Sequence, residues 1–425
     1  MHHTSKDQPV SKDNQVRRLG LDLTKFFAAH ALTGALNFFV LIYFARALGP
    51  EILSDYALIL IGIELAFLVL NFGFNQILIY QGGLASATVA AVVWCTALQS
   101  AALVLVSYAV WFAYSLLDHQ NAARLLVPAT WLLIARLLGL YGAVALTPFE
   151  VRLEYTKVSK IRAVAAIVSS AVGVGAASFE HSVLPFIYRE LTSACICLIA
   201  AAVLTGHSFH LIASKPAFAA VWRYSKRMWI LNVLERAALR IEYLLVASLL
   251  GREILGAYFA VRSVVEGMLG LLVVPVQTVV FGYYCRSNIR NYVSPILNYG
   301  GASVLGLALL GFAAGIVAGP TLLIWMLGPE YQVAMPAIAG LIFYMFCVLW
   351  YENVKVLSMS VDRHFIGVSG RLVQLFVLVI GLPLTAAAWG LHGIGNSLAL
   401  AGFALAIVPT LIFARSAPAR ALKHN

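Results

Sequence analysis

Charge is scarce in this chain. Asp, Glu, Lys and Arg make up 11% of its 425 residues, against about 25% in soluble globular proteins. With 61% hydrophobic residues and a mean hydropathy of +0.88, it cannot cover a water-soluble surface, and a soluble fold is excluded. Cysteine is scarce too. The five present form no C-x-x-C pair, which excludes a zinc ribbon or a thioredoxin-like dithiol. Cys95, Cys195, Cys197 and Cys347 fall inside apolar stretches and read as small packing residues. His207 and His210 have no carboxylate or thiolate partner beside them, which makes a poor metal site. Long hydrophilic segments are also missing, and no Ser/His/Asp, DxD or metal-ligand constellation stands out. Both absences speak against a membrane-bound glycosyltransferase or glycan polymerase.

What is present is a series of apolar stretches of at least about 18 residues, the length that crosses a bilayer as a helix. Twelve are found, at 24 to 44, 57 to 80, 86 to 117, 125 to 147, 163 to 179, 184 to 205, 229 to 250, 255 to 284, 296 to 327, 332 to 358, 367 to 389 and 391 to 414. The expected class is an all-α integral membrane protein. The basic N-terminal tail runs straight into a full-length span, so the first segment is expected to stay in the membrane.

The net charge of +11 reflects sidedness and not nucleic acid binding. Assigning alternate loops to opposite sides places twenty of the 29 Lys and Arg residues on one side, from Lys6, Arg17 and Arg18 through Arg152, Lys157, Lys160, Arg162, Arg223, Lys226, Arg286, Arg290, Arg363 and Arg371 to Arg415. The other side holds only Arg46, Arg124 and Arg252, and six lie within spans. By the positive-inside rule both termini are expected in the cytoplasm, and the even number of spans agrees by placing them on one side.

A repeat divides the chain. Ala45-Arg-Ala-Leu-Gly-Pro-Glu-Ile-Leu-Ser-Asp-Tyr56 returns 202 residues later as Ala247-Ser-Leu-Leu-Gly-Arg-Glu-Ile-Leu-Gly-Ala-Tyr258, with seven of twelve positions identical. Each copy follows the first long apolar segment of its half, as expected of a duplicated unit. The expected organisation is a cytoplasmic tail at 1–14, helical bundles at 15–205 and 229–425, and a basic linker at 206–228. In the linker, Phe218, Val221, Trp222, Ser225 and Trp229 share a helical face opposite Arg223 and Arg227. This describes either a helix in the headgroup plane, with Pro216 in its first turn, or an ordinary basic connection. Gly311, Gly315 and Gly319 repeat at i+4, a pattern that lets a neighbouring helix approach closely.

Function is expected among the ionisable residues left inside the bilayer, each costly there unless it faces protein or water. The seventh span is the most polar. Asn232, Glu235, Arg236, Arg240, Glu242 and Tyr243 occupy an arc of about 160° on a helical wheel. Arg240 lies about 16 Å along the span, near the midplane. Tyr258, Arg262 and Glu266 share a face of the eighth span, before a kink expected at Pro275. In the first half, Arg136 is near the middle of the fourth span, Glu64, Asn71 and Asn75 form a stripe on the second, and His30, Thr33 and Asn37 form another on the first. Glu352 and Lys355, three residues apart, are placed to pair locally. Glu235 with Arg236 and Arg262 with Glu266 also read as local ion pairs. Arg136 and Arg240 lack such a partner and are the better anion holders, because guanidinium stays charged at any depth and offers a bidentate fork for phosphate.

These features resemble the polysaccharide and O-antigen flippases of the multidrug/oligosaccharidyl-lipid/polysaccharide (MOP) exporter superfamily. The likeness runs along essentially the whole chain. It is most specific at Phe44-Ala-Arg-Ala-Leu-Gly-Pro-Glu, Ser54-Asp-Tyr-Ala and Leu70-Asn-Phe-Gly-Phe-Asn-Gln-Ile-Leu-Ile79. Arg240-Ile-Glu-Tyr-Leu-Leu-Val-Ala-Ser-Leu-Leu-Gly251 and Leu327-Gly-Pro-Glu-Tyr331 extend it into the second half. The resemblance implies twelve helices in two six-helix bundles related by a pseudo-two-fold axis and arranged in a V. It implies alternating access carrying an undecaprenyl-diphosphate-linked oligosaccharide across the inner membrane, the lipid tail staying in the bilayer. Arg136, Arg240 and Arg262, with Arg236, Lys355 and Tyr258 behind them, are the corresponding cavity residues. Glu64, Glu235, Glu242, Glu266, Asn71 and Asn75 are the polar positions open to proton or sodium coupling. No cofactor is implied, and the partners would be membrane lipids and the polysaccharide polymerase and export machinery. The related multidrug antiporters commonly carry an acid in the first span, where this chain has none. The lipid II flippases have fourteen spans.

Overall fold

The computed structural model describes residues 12–81, 84–117, 119–152, 154–205, 212–275, 301–360, 363 and 365–416. The helices are α1 (Lys12–Leu70), α2 (Gln76–Gln81), α3 (Ser86–Leu117), α4 (His119–Val151), α5 (Tyr155–Ala177), α6 (Leu184–Thr205), α7 (Lys215–Leu250), α8 (Arg252–Pro275), α9 (Gly301–Val317), α10 (Gly319–Leu327), α11 (Ile338–Ser360) and α12 (Phe365–Ser416). A 3-10 segment, Pro329–Ala337, joins α10 to α11. No strand occurs among the described residues. Backbone polar groups inside a bilayer have no water to bond, and helices satisfy them within one segment.

Where its residues are described, each apolar stretch lies mainly on helix, with a break at 71–75 in the second. Seven described helices are long and apolar enough to cross a membrane, or eight when Leu305–Val317 and Gly319–Leu327, bent by 65°, count as one span. Two of the long helices are each two spans. The backbone of α1 turns at Gly49 (φ 77°, ψ 170°) and that of α12 at Gly390 (φ 54°, ψ −132°). Large apolar side chains such as Leu105, Phe112, Phe376 and Trp389 are more than 60% exposed, as they would be against lipid.

The repeat seen in the sequence is a repeat of conformation. Gly49 (φ 77°, ψ 170°) and Gly251 (φ 88°, ψ 175°) end their helices in nearly the same left-handed geometry, which glycine adopts without the usual side-chain clash. The following helices then cross in close contact. A Cβ built on Gly256 would collide with the carbonyl of Pro50 and lie 3.2 Å from Cβ of Ser54. Aromatic rings continue this seam through the core. Tyr56 stacks on Phe186 at 4.4 Å and meets Phe259 at 5.9 Å, and Phe259 meets Tyr243 at 5.8 Å.

The three arginines set apart by the charge count lie at this same end, and all three are tied down. Asp55 accepts from Arg124 of α4 and from Arg252 of α8. Arg46 donates to the carbonyls of Trp325 and Met326, and Tyr331 donates to the carbonyl of Ala45 at 2.7 Å. The two Leu-Gly-Pro-Glu turns, at Gly49 and Gly328 (φ 120°), therefore meet on this side and join the halves of the chain.

Three expectations change. The linker face made by Phe218, Val221 and Ser225 belongs to α7 itself, one continuous helix capped by Ser214 with Pro216 in its first turn. Val221 is buried with Phe74, Ile77 and Leu78 of the first half, while Phe72 stacks on Trp229 at 5.9 Å and Trp229 donates to the Val69 carbonyl at 2.7 Å. Part of that face thus packs against the first half of the chain, while Trp222 is 52% exposed. The fifth span starts at Tyr155, eight residues ahead of the apolar stretch, because Lys157, Lys160 and Arg162 lie on its first turns. Arg371, assigned to the basic surface, is 1% exposed. The glycine stripe acts as expected: Cβ atoms at Gly311 and Gly315 would come within 2.5 and 2.7 Å of Phe346 and Ile342 of α11. His207, His210, Arg286 and Arg290 lie outside the described residues, as does any bend beyond Pro275.

Candidate functional site

Helix α7 positions the site. Its polar arc is too wide to face one neighbour, and the structure splits it in two. Asn232, Glu235, Arg236 and Arg240 turn toward a cavity of about 640 Å³ between the halves of the chain. Glu242 and Tyr243 turn instead into the contact with α8 and are 0% and 1% exposed. The opposite wall is formed by Glu64 at the end of α1, Asn71 and Asn75 in the break before α2, Gln76, and Glu150 and Tyr155 where α4 meets α5. Lys355, Val356 and Met359 of α11 complete it. Of the lining residues, Tyr155 starts α5, Asn75 precedes α2 and Met359 lies near the end of α11, and these ends adjoin the stretches where basic residues collect.

The helix expected to carry Glu64, Asn71 and Asn75 as one stripe ends at Leu70. Gly73 (φ 61°) turns the chain there, yet all three residues reach the cavity.

The charges are arranged in pairs that cross between elements. Arg236 donates from Nη1 to Glu64 Oε2 at 2.5 Å, and Arg240 Nε lies 3.9 Å from the same oxygen. Both guanidinium groups are braced by rings, Arg236 over Phe67 at 5.7 Å and Arg240 over Tyr243 at 5.9 Å. They remain 32% and 23% exposed, which leaves part of each fork facing the cavity. Lys355 Nζ lies 3.2 Å from Glu235 and also pairs with Glu352. Behind it, Arg371 donates to Glu352 at 2.9 Å and to Gln374 at 2.9 Å, and Gln374 donates to the Tyr344 hydroxyl at 2.7 Å.

The local pair of Glu352 and Lys355 forms as expected. The pair of Glu235 with Arg236 does not: each residue turns to a different helix. Arg262 pairs with Glu266 at 3.0 Å, and also with Glu242, whose Oε1 accepts from the Tyr258 hydroxyl at 3.2 Å.

Arg262 and Tyr258 are both 0% exposed. The packing of α8 against α7 and α11 seals them away from the cavity, and they do not line it. Glu242 and Glu266 are likewise absent from its wall. Arg136 does not reach the wall either. It pairs with Glu190 of α6 at 3.6 Å, a partner invisible to a reading confined to its own helix. The neighbouring Arg189 donates to Asn37 of the first-span stripe.

Sequence reasoning did not single out Glu150, Tyr155 or Tyr224 as cavity residues, and it did not place Arg371 in a buried network. Glu150 was legible as an acid near a span end, where it pairs with Arg162 at 3.2 Å. Nothing in the sequence pointed to the two tyrosines. Among the described residues no group of three or more His, Cys, Asp or Glu is placed to hold a metal ion.

Comparison with known proteins fits this architecture. The family model described as polysaccharide biosynthesis protein matches residues 43–292, and no curated protein matches the sequence. An inward-facing multidrug resistance MATE family transporter of the MOP superfamily is similar over 95% of this chain and 100% of its own, with a TM-score of 0.68 at 13% identity. A mutant of the Vibrio cholerae MATE transporter VcmN is similar over 94% and 98%, with a TM-score of 0.65 at 14% identity. The eukaryotic MATE transporter AtDTX14 is similar over 93% and 96%, with a TM-score of 0.60 at 16% identity. At these identities the likeness establishes the fold, two six-helix bundles in a V. With the family match covering more than half of its length, the chain belongs to the polysaccharide biosynthesis protein family.

Proposed function

We propose that the protein is a flippase for an undecaprenyl-diphosphate-linked oligosaccharide, moving it from the cytoplasmic to the periplasmic leaflet of the inner membrane for O-antigen, capsule or exopolysaccharide assembly. The observation that carries this reading is the pair Arg236 and Arg240, with Lys355, on the wall of a cavity between the halves. Guanidinium forks at that depth suit a diphosphate. The polar wall of Asn71, Asn75, Gln76 and Asn232 suits sugar hydroxyls, and the lipid tail stays in the bilayer.

With the basic side as the cytoplasm, the cavity faces the leaflet in which the lipid-linked sugar is made. The ties through Asp55 and Arg46 then close the periplasmic side. Transport is the rocking of two units, 15–205 and 229–425, between this state and its mirror, both termini remaining cytoplasmic. The polymerase and export machinery receive the product.

A second reading, an ion-coupled multidrug antiporter, is favoured by the MATE likeness and by Glu64, Glu150 and Glu235 around the same cavity. Depletion of the protein separates the two, using a reagent that cannot cross the inner membrane to report sidedness. Lipid-diphosphate oligosaccharide accumulating on the cytoplasmic face is the expected result. Unchanged levels, with greater sensitivity to cationic compounds, would replace the flippase by the antiporter.

A further inference from the structure

Glu64 holds the site that the proposed substrate must occupy. Its carboxylate comes from the first half and lies against Arg236 and within 3.9 Å of Arg240, both from the second half. It is 5% exposed and sits on the cavity wall. The other wall acids are already held, Glu150 by Arg162 and Glu235 by Lys355 and Arg371. An incoming anion therefore meets an arginine pair whose charge is partly satisfied by a built-in carboxylate.

A phosphodiester headgroup carries one negative charge, as does Glu64. Exchanging one for the other gains little attraction from the arginines and leaves Glu64 buried without its partners, which is unfavourable. A diphosphate substituted at both ends carries two charges, so its attraction to the two arginines outweighs the same displacement. The cavity lies in a bilayer, where phosphodiester headgroups vastly outnumber any lipid-linked sugar.

We propose that Glu64 is a specificity-determining residue, an internal competing anion that keeps the Arg236 and Arg240 pair closed to singly charged phosphodiester lipids and admits only a headgroup with at least two negative charges. The inference rests on the flippase reading and adds to it the chemical basis of selection.

The test uses the full-length protein in nanodiscs of zwitterionic lipid, with farnesyl glucosyl diphosphate as the probe and phosphatidylglycerol as the competitor. In the wild type, replacing one lipid in five by phosphatidylglycerol should change probe affinity by less than about twofold. In Glu64→Gln the probe should bind about tenfold more tightly in the absence of phosphatidylglycerol, since a charge-assisted competitor is gone. Phosphatidylglycerol should then weaken it at least about fivefold. Glu64→Asp, which keeps the charge, should retain the wild-type indifference to phosphatidylglycerol.

Competition by phosphatidylglycerol in the wild type overturns the proposal without any variant, as does a Glu64→Gln protein with unchanged affinity and unchanged indifference. Loss of indifference in Glu64→Asp would make side-chain length, and not charge, responsible. Failure of the probe to bind the wild type and both variants would instead remove the diphosphate reading itself.

Discussion

Glu235 and Arg236 are adjacent in the chain and pair in opposite directions. Glu235 meets Lys355 of α11 at 3.2 Å, whereas Arg236 meets Glu64 of α1 at 2.5 Å. Successive residues on a helix point about 100° apart, so neighbours of opposite charge are poor partners for each other and good ones for two different helices. One turn of α7 thereby joins the first half of the chain to the second.

This connection predicts a measurable coupling. In a double-mutant cycle of Glu64→Gln and Arg236→Gln, thermal unfolding in detergent should give an interaction energy of about 0.5–1 kcal/mol, reduced by the partial exposure of Arg236. Strict additivity of the two changes would show that the pair contributes nothing.

Arg240 should matter for transport more than for folding. Arg240→Ala is expected to reduce export of the proposed substrate, a lipid-linked oligosaccharide, at least about tenfold, the loss of one charge-assisted contact, with abundance in the membrane near normal. Arg240→Lys keeps the charge and loses the fork, and it should fall between the two. Full export by the Ala variant would exclude Arg240 from substrate handling.

Arg371 should matter for folding. It and Glu352 are each 1% exposed and 2.9 Å apart, so Arg371→Met leaves a buried carboxylate with one partner fewer and should cost about 3–5 kcal/mol of stability. The double change with Glu352→Gln should recover part of that loss. A decrease under about 1 kcal/mol in the single variant would mean that Lys355 alone compensates Glu352.

Under the proposed transport cycle, the tie between Asp55 and Arg252 should favour the state described here. Asp55→Asn weakens two ion pairs, of which only the one with Arg252, 42% exposed, crosses between the two units, and it is worth about 0.2–1 kcal/mol. The population opening on that side should therefore rise by about 1.4-fold to fivefold. Spin labels at Glu51→Cys and Glu253→Cys, in a chain without its other cysteines, would report this as a longer distance component. An unchanged distribution would assign the closure to the Arg46 and Tyr331 contacts.

Gly256 is required by space and Gly49 by conformation. Gly256→Ala drives a methyl group into the Pro50 carbonyl and should cost about 1–3 kcal/mol, visible as a lower unfolding temperature. Gly49→Ala meets no atom within 4 Å but keeps φ 77°, with an expected cost of about 1 kcal/mol from backbone strain. A smaller loss at Gly256 than at Gly49 would contradict the close crossing of the two repeats.

Local rules reach far in this protein because the bilayer simplifies them. Apolar length located the long helices among the described residues, since lipid leaves a spanning chain little alternative to a helix. The duplicated segment marked two turns that share one backbone conformation, because glycine at Gly49 and Gly251 carries the same requirement in both. Composition made α7 the polar helix, and charge distribution set Arg46, Arg124 and Arg252 apart from the other basic residues. Tertiary structure alone decided which charges share a space. Arg262 and Arg240 stand on consecutive helices and look alike in sequence, yet close packing closes over the first and leaves the second on a cavity wall. Glu64 finds its arginines 172 and 176 residues away. Such pairings depend on how two halves of the chain meet, and no period or spacing within one helix records that.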